Sequence, residues 1–159
     1  MKQELLIGIT ESGVMHTDAD PPIPLETKFQ MVKESGVYDY FDKTPPLELE
    51  EDYRRCSEKY ELPILAGGWF YVLGRDEDLL MENLRLGARL GSLVHNTQII
   101  MDHQDGSLVS DEQVVEIYLR AYETGEACGC RPTFEVHVNM WSEDFRRIEK
   151  VADLVEKQG

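Results

Sequence analysis

The chain repeats one unit five times: a short apolar, β-prone run, a polar turn, then an amphipathic stretch with helical spacing. Strands are predicted at 5–10, 37–41, 63–66, 93–100 and 133–138, and helices near 24–36, 47–60, 76–90, 110–128 and 142–157. Parallel strands need a crossover long enough to hold a helix, so this alternation implies βα units around a parallel sheet.

The helices carry local signals. Pro24 suits a first helical turn, Leu25, Phe29 and Val32 share a face, and Gly36 ends the segment. Leu49, Tyr53, Cys56 and Tyr60 form the next stripe. Asp76 is placed to cap the third helix, with Leu80, Leu84 and Gly87 on one face. Ser110 and Gln113 are spaced as a capping box, Val114, Tyr118 and Ala121 follow, and Gly129 suits the helix end. Ser142 is expected to cap the last helix, over a stripe of Phe145, Ile148, Ala152 and Val155. These stripes read as core.

At 159 residues the chain has one domain's length, and residues 1–159 are expected to form a single domain. No apolar run approaches the ~18 residues of a membrane span. Met1 to Gly8 runs into a strand-like segment without the layout of a signal peptide, so none is expected. Thirty-one acidic against sixteen basic residues give a net charge of −15, which repels phosphate backbones and disfavours nucleic acid as a partner. Three cysteines, Cys56, Cys128 and Cys130, argue for a reducing, cytoplasmic setting rather than a disulfide framework. Cys128-Gly129-Cys130 lacks the paired spacing of a zinc site.

Five βα units fit either an open doubly wound sheet or part of a barrel. An open sheet gathers ligand groups at one switch point, whereas a barrel turns every strand end towards one mouth. Groups suited to a site fall at all five predicted strand ends. They are Glu11, Asp39, Gly67-Gly68-Trp69, the Asn96 and Gln98 pair running out to His103, and Glu135, His137 and Asn139. That distribution favours a TIM-type barrel, here its first five units of eight. No glycine-rich nucleotide motif supports the open sheet. His95 is out of phase with Asn96 and Gln98. His16 lies in a long Asp- and Pro-rich loop between Glu11 and Ile23 and, like His103, reads as solvent-facing.

The fifth strand carries the most chemistry. In Thr133-Phe134-Glu135-Val136-His137-Val138-Asn139, alternation turns Phe134, Val136 and Val138 towards the helices and Glu135, His137 and Asn139 into the barrel. Three inward polar groups are costly unless they bind something or each other. A carboxylate two residues from an imidazole suits a divalent metal and a polar substrate. A buried Glu–His pair without a ligand fits the pattern equally well.

The stretch Arg131 to Glu156, RPTFEVHVNMWSEDFRRIEKVADLVE, resembles the fifth βα unit of the xylose isomerase-like TIM-barrel superfamily. NTQIIMDHQDG resembles its fourth strand and loop, and GIT with Glu11 fits a first strand. The resemblance covers the chain as βα units and is specific in strands four and five.

It implies a divalent-metal-dependent isomerase or epimerase of a small sugar, sugar phosphate or related hydroxy-carbonyl compound. Glu135 would be metal ligand and possible base, His137 a catalytic substrate contact, and Asn96, Gln98, Trp69 and Asn139 the substrate-binding set. The cofactor would be Mn²⁺, Mg²⁺, Co²⁺ or Zn²⁺. The family completes its metal site with Asp, His and Glu from the sixth to eighth strands, and no such set follows Glu135 here. The expectation is therefore a partial barrel whose activity needs further units, as a homo-oligomer or with a complementing barrel segment. The competing readings are a non-catalytic module pairing with such a segment, and an endonuclease IV-like phosphodiesterase. The second is weakened by the scarcity of histidines and the net charge.

Overall fold

The computed structural model describes residues 5–14 and 22–157. His16 lies outside them. The elements are β1 (Gly8–Thr10), α1 (Leu25–Ser35), β2 (Tyr40–Asp42), α2 (Glu50–Tyr60), β3 (Ile64–Tyr71), α3 (Glu77–Leu90), β4 (Val94–Ile99), α4 (Asp111–Cys128), β5 (Arg131–Phe134) and α5 (Phe145–Glu156). All strand pairs are parallel and the order is β1-β2-β3-β4-β5. Among the described residues β1 and β5 are free edges, so the sheet is an open part of a βα barrel rather than a closed one.

Strand parity divides the sheet into two faces. On β4, His95, Thr97 and Ile99 are buried on the helix side, while Val94, Asn96 and Gln98 face the other way. Two apolar clusters fill the helix side. One joins Phe29, Val32, Phe41, Tyr53, Cys56 and Ile64, and the larger joins Tyr71, Leu80, Leu84, Ile99, Val114 and Trp141. The predicted stripes of α1 to α4 thus meet the sheet where a helix with one apolar face must. Ser110 and Gln113 form the expected reciprocal capping box. Gly36 and Gly129 end α1 and α4 at φ 63° and 89°, a region costly for a side chain with a Cβ.

Several expectations are corrected. β3 runs on to Tyr71, so Gly67, Gly68 and Trp69 lie inside the strand. Asp39 precedes β2 instead of ending it. Its carboxylate accepts from the Ile7 amide at 2.8 Å, at the opposite end of the sheet from the barrel mouth. β5 ends at Phe134, and Val136 and Val138 are each 58% exposed. Asp76 stands at the N-cap of α3, but its carboxylate turns back to the Val72 amide and Arg75. Asp144, not Ser142, caps α5. The helix therefore starts later, Phe145 and Ala152 face solvent, and Val151 becomes its buried residue.

A polar chain threads the larger core. Asn83 Nδ2 donates to the Tyr71 hydroxyl at 2.9 Å, which lies 2.6 Å from His95 Nε2, and His95 Nδ1 lies 3.2 Å from Thr44 Oγ1. Burial pushes the His95 pKa down to about 4, keeping the imidazole neutral.

Candidate active site

The C-terminal strand ends enclose a cavity of about 600 Å³. Its lining includes Thr10, Glu11, Asp42, Lys43, Trp69, Phe70, Asn96, Gln98 and Glu135. β4 turns Asn96 and Gln98 to the concave face, and β5 delivers Glu135 one residue beyond its end. The ladder carries over through a 3.4 Å contact from the Glu135 amide to the Thr97 carbonyl. Asn96 Nδ2 and Gln98 Nε2 both donate to Glu135 Oε2, at 2.6 and 2.5 Å. Oε1 has no hydrogen-bond partner among the described residues. Gln98 Oε1 is buried and also unpartnered. Gly68 lies beside this trio, where a Cβ would come within 2.9 Å of the Asn96 carbonyl oxygen.

The other wall is built around Glu11. Lys28 Nζ approaches its Oε1 at 2.6 Å, and Lys43 Nζ and the Tyr53 hydroxyl approach Oε2, each at 2.8 Å. Burial would raise the Glu11 pKa, but these three partners bring it down to about 2. Lys43 also stands 5.9 Å from the centre of the Trp69 ring. Phe70 shares the concave face with its ladder partner Gln98, while Trp69 pairs with Thr97; both line the cavity and remain 46% and 42% exposed.

Asp42, at the true end of β2, is the site carboxylate that strand assignment from sequence missed. Burial, then the charge of Glu135, raise its pKa. A three-residue shift of the predicted strand end, from Asp39 to Asp42, would have found it.

Of the residues expected in the site, Glu135, Asn96, Gln98 and Trp69 meet at one cavity. His137 stands beside it. Its Nδ1 lies 2.7 Å from the Val138 carbonyl oxygen and its ring is edge-on to Phe70 at 6.3 Å. Asn139 turns away with φ at 63°, its amide donating to Glu143 Oε2. The inward alternation fails after Glu135 because Ser142 Oγ donates to the Glu135 carbonyl at 2.5 Å and accepts from the His137 amide at 3.4 Å. That contact turns the chain into a loop. His103 lies outside the cavity, beside Asp105 at 3.2 Å and packed under Gly74.

No group of three His, Cys, Asp or Glu side chains that could hold a metal ion occurs among the described residues. Glu135 offers one carboxylate, which does not fill the coordination sphere of a divalent ion.

Sequential parallel strands, helices on one face and polar groups at the C-terminal strand ends define a partial TIM-type βα barrel. Solved structures bear out the expected TIM-barrel type of fold. The chain is similar to the IolI protein with a bound zinc atom (TM-score 0.66, 14% identity, covering 96% of this chain and 59% of that one). It is also similar to a family 2 AP endonuclease from Brucella melitensis (0.67, 11%, 92% and 65%). A third is the 3-keto-D-glucoside 4-epimerase YcjR from E. coli (0.66, 12%, 94% and 65%). The chain thus spans less than two thirds of each of these proteins. No protein-family model and no curated protein sequence matches it. No described helix is long and apolar enough to cross a membrane.

Proposed function

We propose that residues 1–159 form a single partial-barrel domain of an isomerase or epimerase acting on a small sugar or related hydroxy-carbonyl compound. The observation that carries this reading is the Glu135 carboxylate, fixed through one oxygen by Asn96 and Gln98 and facing a cavity with an aromatic wall. The amides hold Oε2, leaving Oε1 to accept a proton from the carbon beside a substrate carbonyl. The electrons of that C–H bond form a carbon–carbon double bond, and the carbonyl becomes an enediolate. Delivery of a proton to the opposite face by a second acid gives an epimer; return of the Glu135 proton to the former carbonyl carbon, with the hydroxyl proton passing to the neighbouring oxygen, gives an isomer. Phe70, on the face of Gln98, would cover the C–H face of the sugar with Trp69 at the cavity's rim, and His137, beside Phe70, would reach a hydroxyl at its edge.

A divalent metal bound at Glu135 would polarise the carbonyl. Its other ligands do not come from the described residues. A metal-assisted hydride shift is the alternative route.

The partner we propose is a set of βα units that pairs with β5 and β1. Eight strands close such a barrel and the described residues hold five, so three more complete it and a second five-stranded copy overshoots. Both edges present apolar side chains: Leu5, Leu6 and Ile7 at one, Val136 and Val138 at the other. An apolar groove of about 280 Å³ between α4, β5 and α5 continues the second surface. The non-catalytic alternative shares this partner and differs in lacking turnover.

Proton exchange separates the two. In the assembled barrel, supplied in turn with Mn²⁺, Mg²⁺, Co²⁺ and Zn²⁺, a ketose should take up deuterium from D₂O beside its carbonyl. Glu135→Gln should slow this by 100-fold or more. Uptake unaffected by the substitution would remove Glu135 from the reaction.

A further inference from the structure

His95 is out of phase with Asn96 and Gln98. It faces the helix side of β4 and is 1% exposed. Through Thr44 it reaches the end of β2, on the far side of β3. Thr44 Oγ1 lies 3.2 Å from His95 Nδ1, and Thr44 is 3% exposed. The contact passes over Gly67, the register partner of His95 on β3. A Cβ added at Gly67 would stand 2.3 Å from Thr44 Oγ1 and 3.1 Å from the Lys43 carbonyl. A glycine is what lets the hydroxyl cross the strand.

The imidazole is held from its other edge as well. The Tyr71 hydroxyl lies 2.6 Å from Nε2, and Asn83 Nδ2 donates to that hydroxyl at 2.9 Å. A neutral imidazole has one donor and one acceptor nitrogen, and a hydroxyl serves as either, so both nitrogens are satisfied in either tautomer. The chain runs from α3 through β3 and β4 to the end of β2, and no member is more than 7% exposed. A buried polar chain with every link made is rigid, because breaking one link strands its neighbours away from water.

What it holds is the segment that carries β2 into the cavity. The β2–β3 register shifts between Phe41 and Asp42. Beyond the shift, the Lys43 amide donates to the Ala66 carbonyl at 3.0 Å. Asp42 and Lys43 line the cavity, and the Lys43 ammonium group approaches Glu11 at 2.8 Å. Resting on the reading of this cavity as an isomerase or epimerase site, we infer that His95 is a positioning residue. Through Thr44, over Gly67, it latches the end of β2 and sets where Asp42 and Lys43 stand.

The test is hydrogen–deuterium exchange read by mass spectrometry on the full chain at low micromolar concentration. Thr44→Val removes the hydroxyl, and Gly67→Ala keeps both partners but displaces one. Each should speed exchange in the segment 41–44 roughly tenfold, with α4 and α5 at wild-type rates. Carbodiimide labelling of the Asp42 carboxylate should rise in the same two variants, and Thr44→Ser should restore both readouts. No change in either readout for Thr44→Val overturns the inference. Faster exchange throughout the chain assigns Thr44 to packing alone and overturns it too. If both variants fail to fold, wild-type protein decides: an NOE from the labelled Thr44 methyl to the His95 ring supports the latch, and its absence removes it. None of these readouts involves turnover, so the isomerase reading stands or falls separately, on deuterium uptake by the ketose.

Discussion

Ser142 Oγ donates to the carbonyl oxygen of Glu135 at 2.5 Å, joining the residue just past β5 to the turn that precedes α5. Ser142 is 3% exposed, so the bond is shielded from water. It fixes the backbone of the carboxylate the site is built on.

Ser142→Ala should therefore leave a carbonyl without its partner in a buried setting, at a cost of about 1–3 kcal/mol. The change would appear as a lower Tm and faster amide exchange at Glu135 and His137. Unchanged exchange there would show that packing alone holds the loop.

Acid unfolding should occur in two windows. His95 has its pKa lowered to about 4 by burial, so its contribution is full above about 6.5 and is lost as pH falls through 4. Burial acts against Glu11, yet its three partners hold its pKa at about 2, so its contribution is full above about 4.5 and is lost as pH falls through 2. The second term is on the order of 2–3 kcal/mol. Stability measured by denaturant titration from pH 8 to 2 should fall in both windows, and Glu11→Gln should flatten the lower one.

Asp42→Asn should stabilise the chain at neutral pH by about 0.5–2 kcal/mol, the usual gain when a strained functional group is relieved. Burial and then the Glu135 charge raise the Asp42 pKa, so its ionised form costs folding energy above that pKa. The gain should shrink as pH falls and Asp42 protonates. A substitution that destabilises equally at pH 7 and pH 4 would mean Asp42 makes a favourable contact instead.

With both sheet edges free among the described residues, the isolated chain should not behave as a stable monomer. Leu5 at 84% exposure and Phe145 at 68% add to the apolar surface. Sedimentation velocity should show self-association or aggregation that a complementing βα segment suppresses. A compact monomer at 100 μM would argue that the edges are already protected.

Much of the fold was legible because it rests on periodicity. The stripes of α1 to α4 and the Ser110–Gln113 box needed only local spacing to be read. Asn96 and Gln98 were placed together because two positions on one strand share a face whatever surrounds it. Asp39 and Asp42 were confused because both flank one short apolar run, and only pairing with β1 and β3 decides where the strand begins and ends. His137 and Asn139 were placed inward by extending a period of two past the point where hydrogen bonding to a neighbour stopped. The bond that stops it comes from Ser142, read from sequence as a helix cap, and nothing local marks a serine that reaches back seven residues.

The sequence by itself determined the alternation of strands and helices, the side chains that could line one face, and the excess of negative charge. These follow from covalent spacing and side-chain chemistry. Only the tertiary structure decided that Glu11 would take both lysines, that Asp42 would share a cavity with Glu135, and that the inward row would end after one carboxylate. Each of those depends on which strand lies beside which and how far its ladder runs. That is set by packing between residues 17 to 93 positions apart, and no local pattern records it.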